Sequence, residues 1–360
     1  MKVLDRYIIQ KYLQMFFFMI GAFIVIAVVM DVSERIDDLI AAEASVWEII
    51  TEYYINFIFF YANLLSGLLI FLTVILVTSN LAQKSELVAI ISSGVSFQRL
   101  LVPFMIAASF LVVLSLLVVH LILPKANEIR LAFEDEHIRH AFNIEQTNLH
   151  RELQPGTIYY FRTIRASSNR GHDFSIEHWT DDGLLREKLF ASKAVFIPED
   201  TLWSLYDVQV RKYASDGSEE VITQKQIDTT LNLRISDFGQ REENVFAMNY
   251  FELNDFIEEE KSKGSDKVPQ WQIEKYQRTS NAFSILVLTL IGFSIASRKK
   301  RGGMGVHLLL AVLIGFLFIF FQRMFNVAAV SIDIPPMLAV WMPNFIFLIF
   351  GLILYQRAPK

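Results

Sequence analysis

Apolar residues along this chain gather into six long runs, and the stretch between the third and fourth runs alternates instead. The runs lie at about Leu13–Met30, Ile55–Ser79, Leu100–Leu123, Asn281–Ala296, Val306–Phe321 and Met337–Leu354. A helix needs roughly 20 apolar residues to cross about 30 Å of hydrocarbon, and several of these runs approach that length. The pattern predicts six transmembrane helices, three before and three after the alternating region.

In that region TIYYF at 157–161, DFSIEHWT at 173–180, KAVFI at 193–197, LWSLYDVQVRKY at 202–213 and IDTTLNLRI at 227–235 read as strands. The turn signals Gln154-Pro155-Gly156, Asp181-Asp182-Gly183 and Ser215-Asp216-Gly217 separate them. Short strands at this spacing predict a β-sandwich or jelly roll with one solvated face. A polar segment, NDFIEEEKSKGSDK at 254–267, reads as helical and leads back to the fourth run. The expected class is therefore α+β: membrane helices over 1–125, an inserted β-domain over 126–280 and further membrane helices over 281–360.

Composition agrees, with 53% hydrophobic residues and 31 Phe. The formal charge of −5 argues against a nucleic-acid partner. With no cysteine, disulfides and thiolate metal sites are excluded. Lys2, Arg6 and Lys11 precede the first run as in a signal peptide, but Asp31, Val32, Ser33, Glu34 and Arg35 after it offer no small-residue cleavage site, so a retained span is expected. Basic residues in the short loops orient the spans. The N-terminal cations, Lys84 and Arg99, the Arg298-Lys299-Lys300-Arg301 cluster, and Arg357 with Lys360 fall on one side. The opposite short loops offer only Arg35 and Arg323. Both termini are expected in the cytoplasm and the β-domain outside it.

Between the second and third runs stands QKSELVAIISSGVSFQR, residues 83–99. On a helical wheel Leu87, Val88, Ile91 and Val95 share one side, bordered by Ile90 and Gly94. Ser85, Glu86, Ala89, Ser92, Ser93 and Ser96 occupy the other, which has no Lys or Arg and a single acid. A helix that merely lies on lipid favours a cationic polar face. Small residues allow another protein to approach closely, and a carboxylate can receive an Arg or a helix N-terminus. An interfacial connector and a docking surface both fit this segment, and the pattern leans toward docking.

Several motifs here resemble those of the LptF/LptG (YjgP/YjgQ) lipopolysaccharide-export permeases. They are Ala82-Gln83-Lys84-Ser85-Glu86-Leu87 with Ser93-Gly94 after it, Val3-Leu4-Asp5-Arg6-Tyr7, and Ile334-Pro335-Pro336 followed by Pro343. The LDRY and KSEL versions stand nearer to LptG than to LptF. The resemblance implies a permease subunit of an ABC transporter in a bacterial inner membrane, paired with a second such permease and two copies of an LptB-type cytoplasmic ATPase. ATP and Mg would be bound by that ATPase; this chain has no G-x-x-x-x-G-K-[ST] loop and no cofactor is expected in it. The β-domain would join a periplasmic bridge through LptC and LptA. The segment at about 84–99 would be the coupling helix, with Ser85, Glu86, Leu87, Ala89, Ile90 and Gly94 at the ATPase contact. Closure of the ATPases would pull on it and move spans one and five.

The resemblance also implies that lipopolysaccharide enters between the two permeases, bounded here by spans one and five. Span five carries Phe316, Phe318, Phe320 and Phe321 and ends in Gln322-Arg323. Arg35, Phe316, Phe318, Phe321 and Arg323 are the candidate lipid path, with the cations meeting phosphate; the rings equally fit a face turned to ordinary membrane lipid. The outer end of span one departs from many relatives in being acidic, with Asp31, Glu34, Asp37 and Asp38 around Arg35. That favours an alternative, a scaffold that transmits ATPase motion to an extracytoplasmic partner without carrying lipid. A receptor anchored by six spans would leave residues 83–99 unexplained. Asn56 and Asn63 lie in or near spans, where polar groups are costly and often functional, and Asn63 is expected to bond between helices. His120 is expected to reach interfacial water. His137 and His140, beside Glu134, Asp135 and Glu136, fit a solvated charged helix better than a metal site. H-E-x-x-H and G-x-S-x-G are absent, and no enzyme activity is expected.

Overall fold

A computed structural model describes residues 3–41, 44–138, 147–165, 169–180, 182–197, 202–214, 217–231, 233, 242–297, 303–332 and 334–358. The chain divides into two units. The first comprises Met1–Phe133, Phe246–Leu253 and Pro269–Lys360; the second comprises Glu134–Val245 and Asn254–Val268.

Each of the six apolar runs lies within a helix long and apolar enough to cross a membrane: α1 (Val3–Ala41), α2 (Val46–Gln83), α4 (Phe97–Ile138), α6 (Val268–Ala296), α7 (Gly303–Ser331) and α8 (Pro336–Gln356). This is a multi-pass membrane protein. Between α2 and α4 sits the short α3 (Glu86–Ser92), and α5 (Tyr250–Ser262) occupies the polar return segment. Ser45 and Glu48 form a capping box that starts α2, with Ser45 N donating to Glu48 Oε2 at 2.8 Å and Glu48 N donating to Ser45 Oγ at 3.2 Å. Helix α6 begins 13 residues before the run that predicted it, because its polar approach is anchored: buried Arg278 donates to Met248 O at 2.7 Å and pairs with Glu274 at 3.3 Å.

The helical core forms around α6. Phe293 meets Phe97 at 5.0 Å and Phe104 at 5.1 Å between ring centroids, and Tyr12 of α1 lies against Phe104. Polar groups inside the bundle pair across helices. Tyr12 Oη and Thr289 Oγ1 are 3.2 Å apart, and Asn344 Nδ2 donates to Ser280 Oγ at 2.8 Å. Such bonds replace water that hydrocarbon does not offer. A π-helical turn at Ile49–Tyr54 widens the start of α2, and the Asn56 amide donates to Thr51 O and Glu52 O there. Asn56 therefore serves its own helix.

In the second unit the expected inserted β-domain contains one six-stranded antiparallel sheet in sequential order. Its strands are β1 (Leu149–Gln154), β2 (Thr157–Arg165), β3 (Arg170–Trp179), β4 (Leu185–Ile197), β5 (Leu202–Tyr213) and β6 (Glu219–Thr229). The last strand overlaps the 227–235 stretch read from the sequence only at 227–229, and residues 232, 234 and 235 lie outside the described residues. It begins at Glu219 and leaves the ladder at Thr229, and Leu233 instead packs into the core and accepts a 3.1 Å bond from Trp203 Nε1.

The sheet buries one face by curling on itself. Neighbouring strands lie about 4.8 Å apart, so β2 and β5, three steps apart, would stand about 14 Å apart in a flat sheet. Yet the Phe161 and Trp203 rings, on β2 and β5, are 5.9 Å apart. Ala191 and Ala194 of β4 are fully buried between these large side chains, giving the bend its room. The Phe161 ring also lies over Gly171 of β3, where an added Cβ would come within 2.2 Å of it. Gly171→Ala is therefore expected to destabilise this unit by about 1–3 kcal/mol, the usual cost of overpacking. Thermal unfolding of the full chain in detergent, followed by proteolysis of the strand region, measures this; an unchanged midpoint would show that the ring yields freely.

Candidate functional site

Helix α3 is bounded by two left-handed residues, Ser85 at φ 57° before it and Gly94 at φ 86° after it. The latter is a conformation that glycine adopts without strain, so the helix ends earlier than the 84–99 expected. Leu87 is buried, and Ile90 and Ile91 pack with it against the cluster that holds Ile8, Tyr12, Leu81 and Phe97. Val88 does not join them. At about 100° per residue it stands off the 87, 90 and 91 stripe, and it is half exposed. Ser85, Ala89, Ser92, Ser93 and Gly94 are exposed. Of the six residues expected at a docking contact, Leu87 thus anchors the helix from beneath, Ile90 is half-buried, and Ser85, Ala89 and Gly94 present a smooth outer surface.

The sixth, Glu86, is not a lone carboxylate. Tyr7 Oη of α1 donates to Glu86 Oε2 at 2.8 Å, and Lys11 Nζ approaches the same oxygen at 3.3 Å. Lys11 also bonds Tyr7 Oη and stands 4.4 Å from the centre of the Tyr7 ring. Desolvation at this seam pushes the Glu86 pKa up. The Tyr7 and Lys11 hydrogen bonds, with the positive charges of Lys11 and Lys84, outweigh it and hold the carboxyl below the ordinary glutamate range. Just past α3, Arg99 Nη2 pairs with buried Asp5 Oδ2 at 2.6 Å, while Ser96 caps α4 through the Arg99 N–H. Helix α1 is therefore fastened to this segment on both sides of α3. Sequence reasoning missed Asp5, Tyr7 and Lys11 in this role; the signal available was Tyr7 and Lys11 at i and i+4, one face of one helix.

At the other end of α1, Asp31 is buried rather than facing outward. Tyr53 Oη reaches its two carboxylate oxygens at 3.1 and 3.0 Å, Tyr54 Oη reaches it at 3.3 Å, and Arg35 Nε lies 3.3 Å away. Arg35 is thus tied to its own helix, whereas Glu34, Asp37 and Asp38 are exposed. On α7 the aromatic residues divide. Phe316 and Phe320 point outward; Phe318 is buried edge-on to Phe347 at 5.0 Å, and Phe321 is half-buried 5.9 Å from the same ring. Arg323 is exposed and has no ion-pair partner among the described residues. His120 is half-buried, 6.1 Å from Tyr250. His140 and the 298–301 basic cluster lie outside the described residues, and among the described residues no group of His, Asp and Glu is disposed to hold a metal.

A family model described as lipopolysaccharide export system permease LptF/LptG matches residues 6–357. The chain belongs to that family. The LptG permease protein of Escherichia coli strain K12 is 23% identical over 281 residues, covering 77% of each chain, and LptG of E. coli strain CFT073 matches to the same extent. Both relatives are LptG, in line with the LDRY and KSEL motifs. As a member of the LptF/LptG family the chain is a permease component and not itself an enzyme.

If the Glu86 seam holds α3, reversing one charge should loosen it. The chain has no native cysteine, so a spin label at Ser92→Cys reports on α3 alone. Lys11→Glu is expected to raise label mobility, and the exchanged pair Lys11→Glu with Glu86→Lys to restore it. Because the folded-state pKa of Glu86 is depressed, its contribution is fully present above the ordinary value of 4.5 and is lost as pH falls through the lowered value. Label mobility in the native background should accordingly rise below that pH. Mobility that ignores both charge and acid would show that the apolar anchor alone holds the helix.

Proposed function

We propose that this chain is one of two paired permeases of an ATP-driven lipopolysaccharide extractor in a bacterial inner membrane, nearer to LptG. An LptB-type ATPase dimer docks from the cytoplasm on the exposed small residues of α3, and both termini lie on that side. The β-unit lies in the periplasm and hands lipopolysaccharide to a bridge of LptC- and LptA-type proteins. The observation that carries this reading is the double fastening of α1, to α3 through Glu86 with Tyr7 and Lys11 and to the start of α4 just beyond it through Arg99 with Asp5. A helix that only floats in headgroups has no need of such fastening. A docking helix that must hand motion to the first span does.

In this reading the carboxylate has two tasks. It holds α3 against α1 through one oxygen, and its partly exposed side chain adds a charge beside the docking surface. Closure of the ATPases displaces α3; α1 follows because the seam resists shear, and the passage beside spans one and five changes width. The alternative scaffold reading is favoured by exposed Glu34, Asp37 and Asp38, which would repel lipid phosphates. Photo-crosslinking from α1 and α7 separates the two, since lipopolysaccharide adducts are expected only from a lipid-carrying permease.

Glu86→Ala is expected to lower the amount of ATPase that co-purifies by about tenfold, equivalent to about 1.4 kcal/mol, and to reduce lipopolysaccharide export with it. Unchanged co-purification together with unchanged export would overturn the assignment of α3 as the docking helix.

A further inference from the structure

Within the helical unit a cavity of about 510 Å³ opens among α2, α4, α6 and α7, a size in the range of ligand pockets, about 300–1,000 Å³. Its walls are rich in carboxamides: Asn63, Asn127, Gln277, Asn281, Gln322 and Asn326 all line it. Such concentration is unusual for a bundle whose helices otherwise read as membrane spans, where each polar group needs a partner.

Half of these amides have none among the described residues. Asn281 and Gln322 bond each other at 3.1 Å. Asn127 is fully buried; its Nδ2 donates to Phe246 O at 3.0 Å, but its Oδ1 accepts nothing. The side chains of Asn63, Gln277 and Asn326 make no hydrogen bond among the described residues. The expectation that Asn63 bonds a neighbouring helix is thereby corrected. Its amide faces the cavity's open space instead.

The chemistry of this lining selects a class of ligand. Carboxamides offer paired donors and acceptors without net charge, which suits hydroxyl and amide groups. Among the described residues the cations at the cavity are Arg278, already paired with Glu274, and Arg323, exposed on α7. A site built for phosphate alone would carry more cations. On the same helix, exposed Ile319 of the cavity wall and outward-facing Phe316 continue the cavity's rim as an apolar surface. We propose that this amide-lined cavity is a binding site for the sugar portion of a glycolipid, whose hydroxyl and amide groups satisfy Asn63, Asn127, Gln277 and Asn326 while its acyl chains lie along α7 and Arg323 meets an acidic substituent. This rests on the lipid-carrying reading above and places the head of the cargo inside one chain, among its own helices.

The test uses the full complex in its native membrane, with a photo-reactive residue at Ile319 on the cavity wall or at Phe17 on the exposed face of α1. The probe is the lipopolysaccharide of that membrane, detected by carbohydrate-specific blotting. A glycolipid adduct at Ile319 is expected, and Asn63→Leu with Asn326→Leu, near in volume but without amides, should lower it at least fivefold while the Phe17 adduct persists. Should the double variant fail to assemble, Asn326→Leu alone is expected to lower the Ile319 adduct severalfold. An Ile319 adduct indifferent to amide removal overturns the site, as does phospholipid in place of glycolipid there, or a Phe17 adduct with none at Ile319. Absence of glycolipid adducts at both positions instead overturns the lipid-carrying function itself.

Discussion

Hydrocarbon offers no hydrogen bonds, so every polar group carried into a spanning bundle must find its partner in the protein or in something bound to it. That constraint organises the helical unit. Tyr12 meets Thr289, Asn344 meets Ser280, and Ser79 meets His307, each joining two helices that sequence keeps far apart. Bonds of this kind contribute modestly, about 0.6 to 2 kcal/mol each, but they fix the rotation of each helix about its axis. Apolar contact alone leaves that rotation loosely specified, because one lipid-like face packs nearly as well as another.

The same constraint explains why charges collect at the helix ends. Asp5 with Arg99 and Glu86 with Lys11 lie where α1 meets α3 and α4, and Asp31 with Arg35 lies at the far end of α1. Partly exposed ion pairs are individually weak, about 0 to 1 kcal/mol. Their consequence here is geometric. Two of them bracket a seven-residue helix that is too short to be stable on its own, so α3 takes its position from α1 as much as from its own apolar stripe.

How far the sequence revealed this follows from range. Spans were legible because twenty apolar residues in a row have few other solutions in water or membrane. The turn at Pro155-Gly156 and strand β5 were legible because their signals are local. Strands β1 and β6 were not: LHRELQ and EEVITQKQIDT alternate poorly, and β6 is an exposed edge whose charged side chains guard against further pairing. The partner of Glu86 was not legible either, since Tyr7 lies 79 residues away and no periodicity within 83–99 points to it. Wheel geometry separated the faces of α3 but placed Val88 on the wrong one, because a seven-residue helix seats on three side chains and not on a full stripe. In span five, alternating phenylalanines looked like a single wall; packing against Phe347 turned half of them inward.

Taken along its length, α1 is held unevenly. Ile8, Tyr12 and Phe16 are buried on one stripe, and the next buried residue is Asp31. Between them Phe17, Phe18, Val25, Ile26, Val29 and Met30 are exposed. The helix is thus zipped to the bundle near α3, pinned again at Asp31 by the Tyr53 hydroxyl, and bare in the middle, where lipid or another apolar surface must cover it. A rod attached at its two ends transmits a displacement of one end without needing to shear a packed interface along its middle. A push on α3 that shifts the Tyr7–Lys11 seam works first against the buried Ile8, Tyr12 and Phe16 stripe and then meets little protein until the Asp31 pin. The short carboxylate contacts at the ends and the bare apolar middle are two aspects of one arrangement, which joins α1 to the bundle chiefly near its ends.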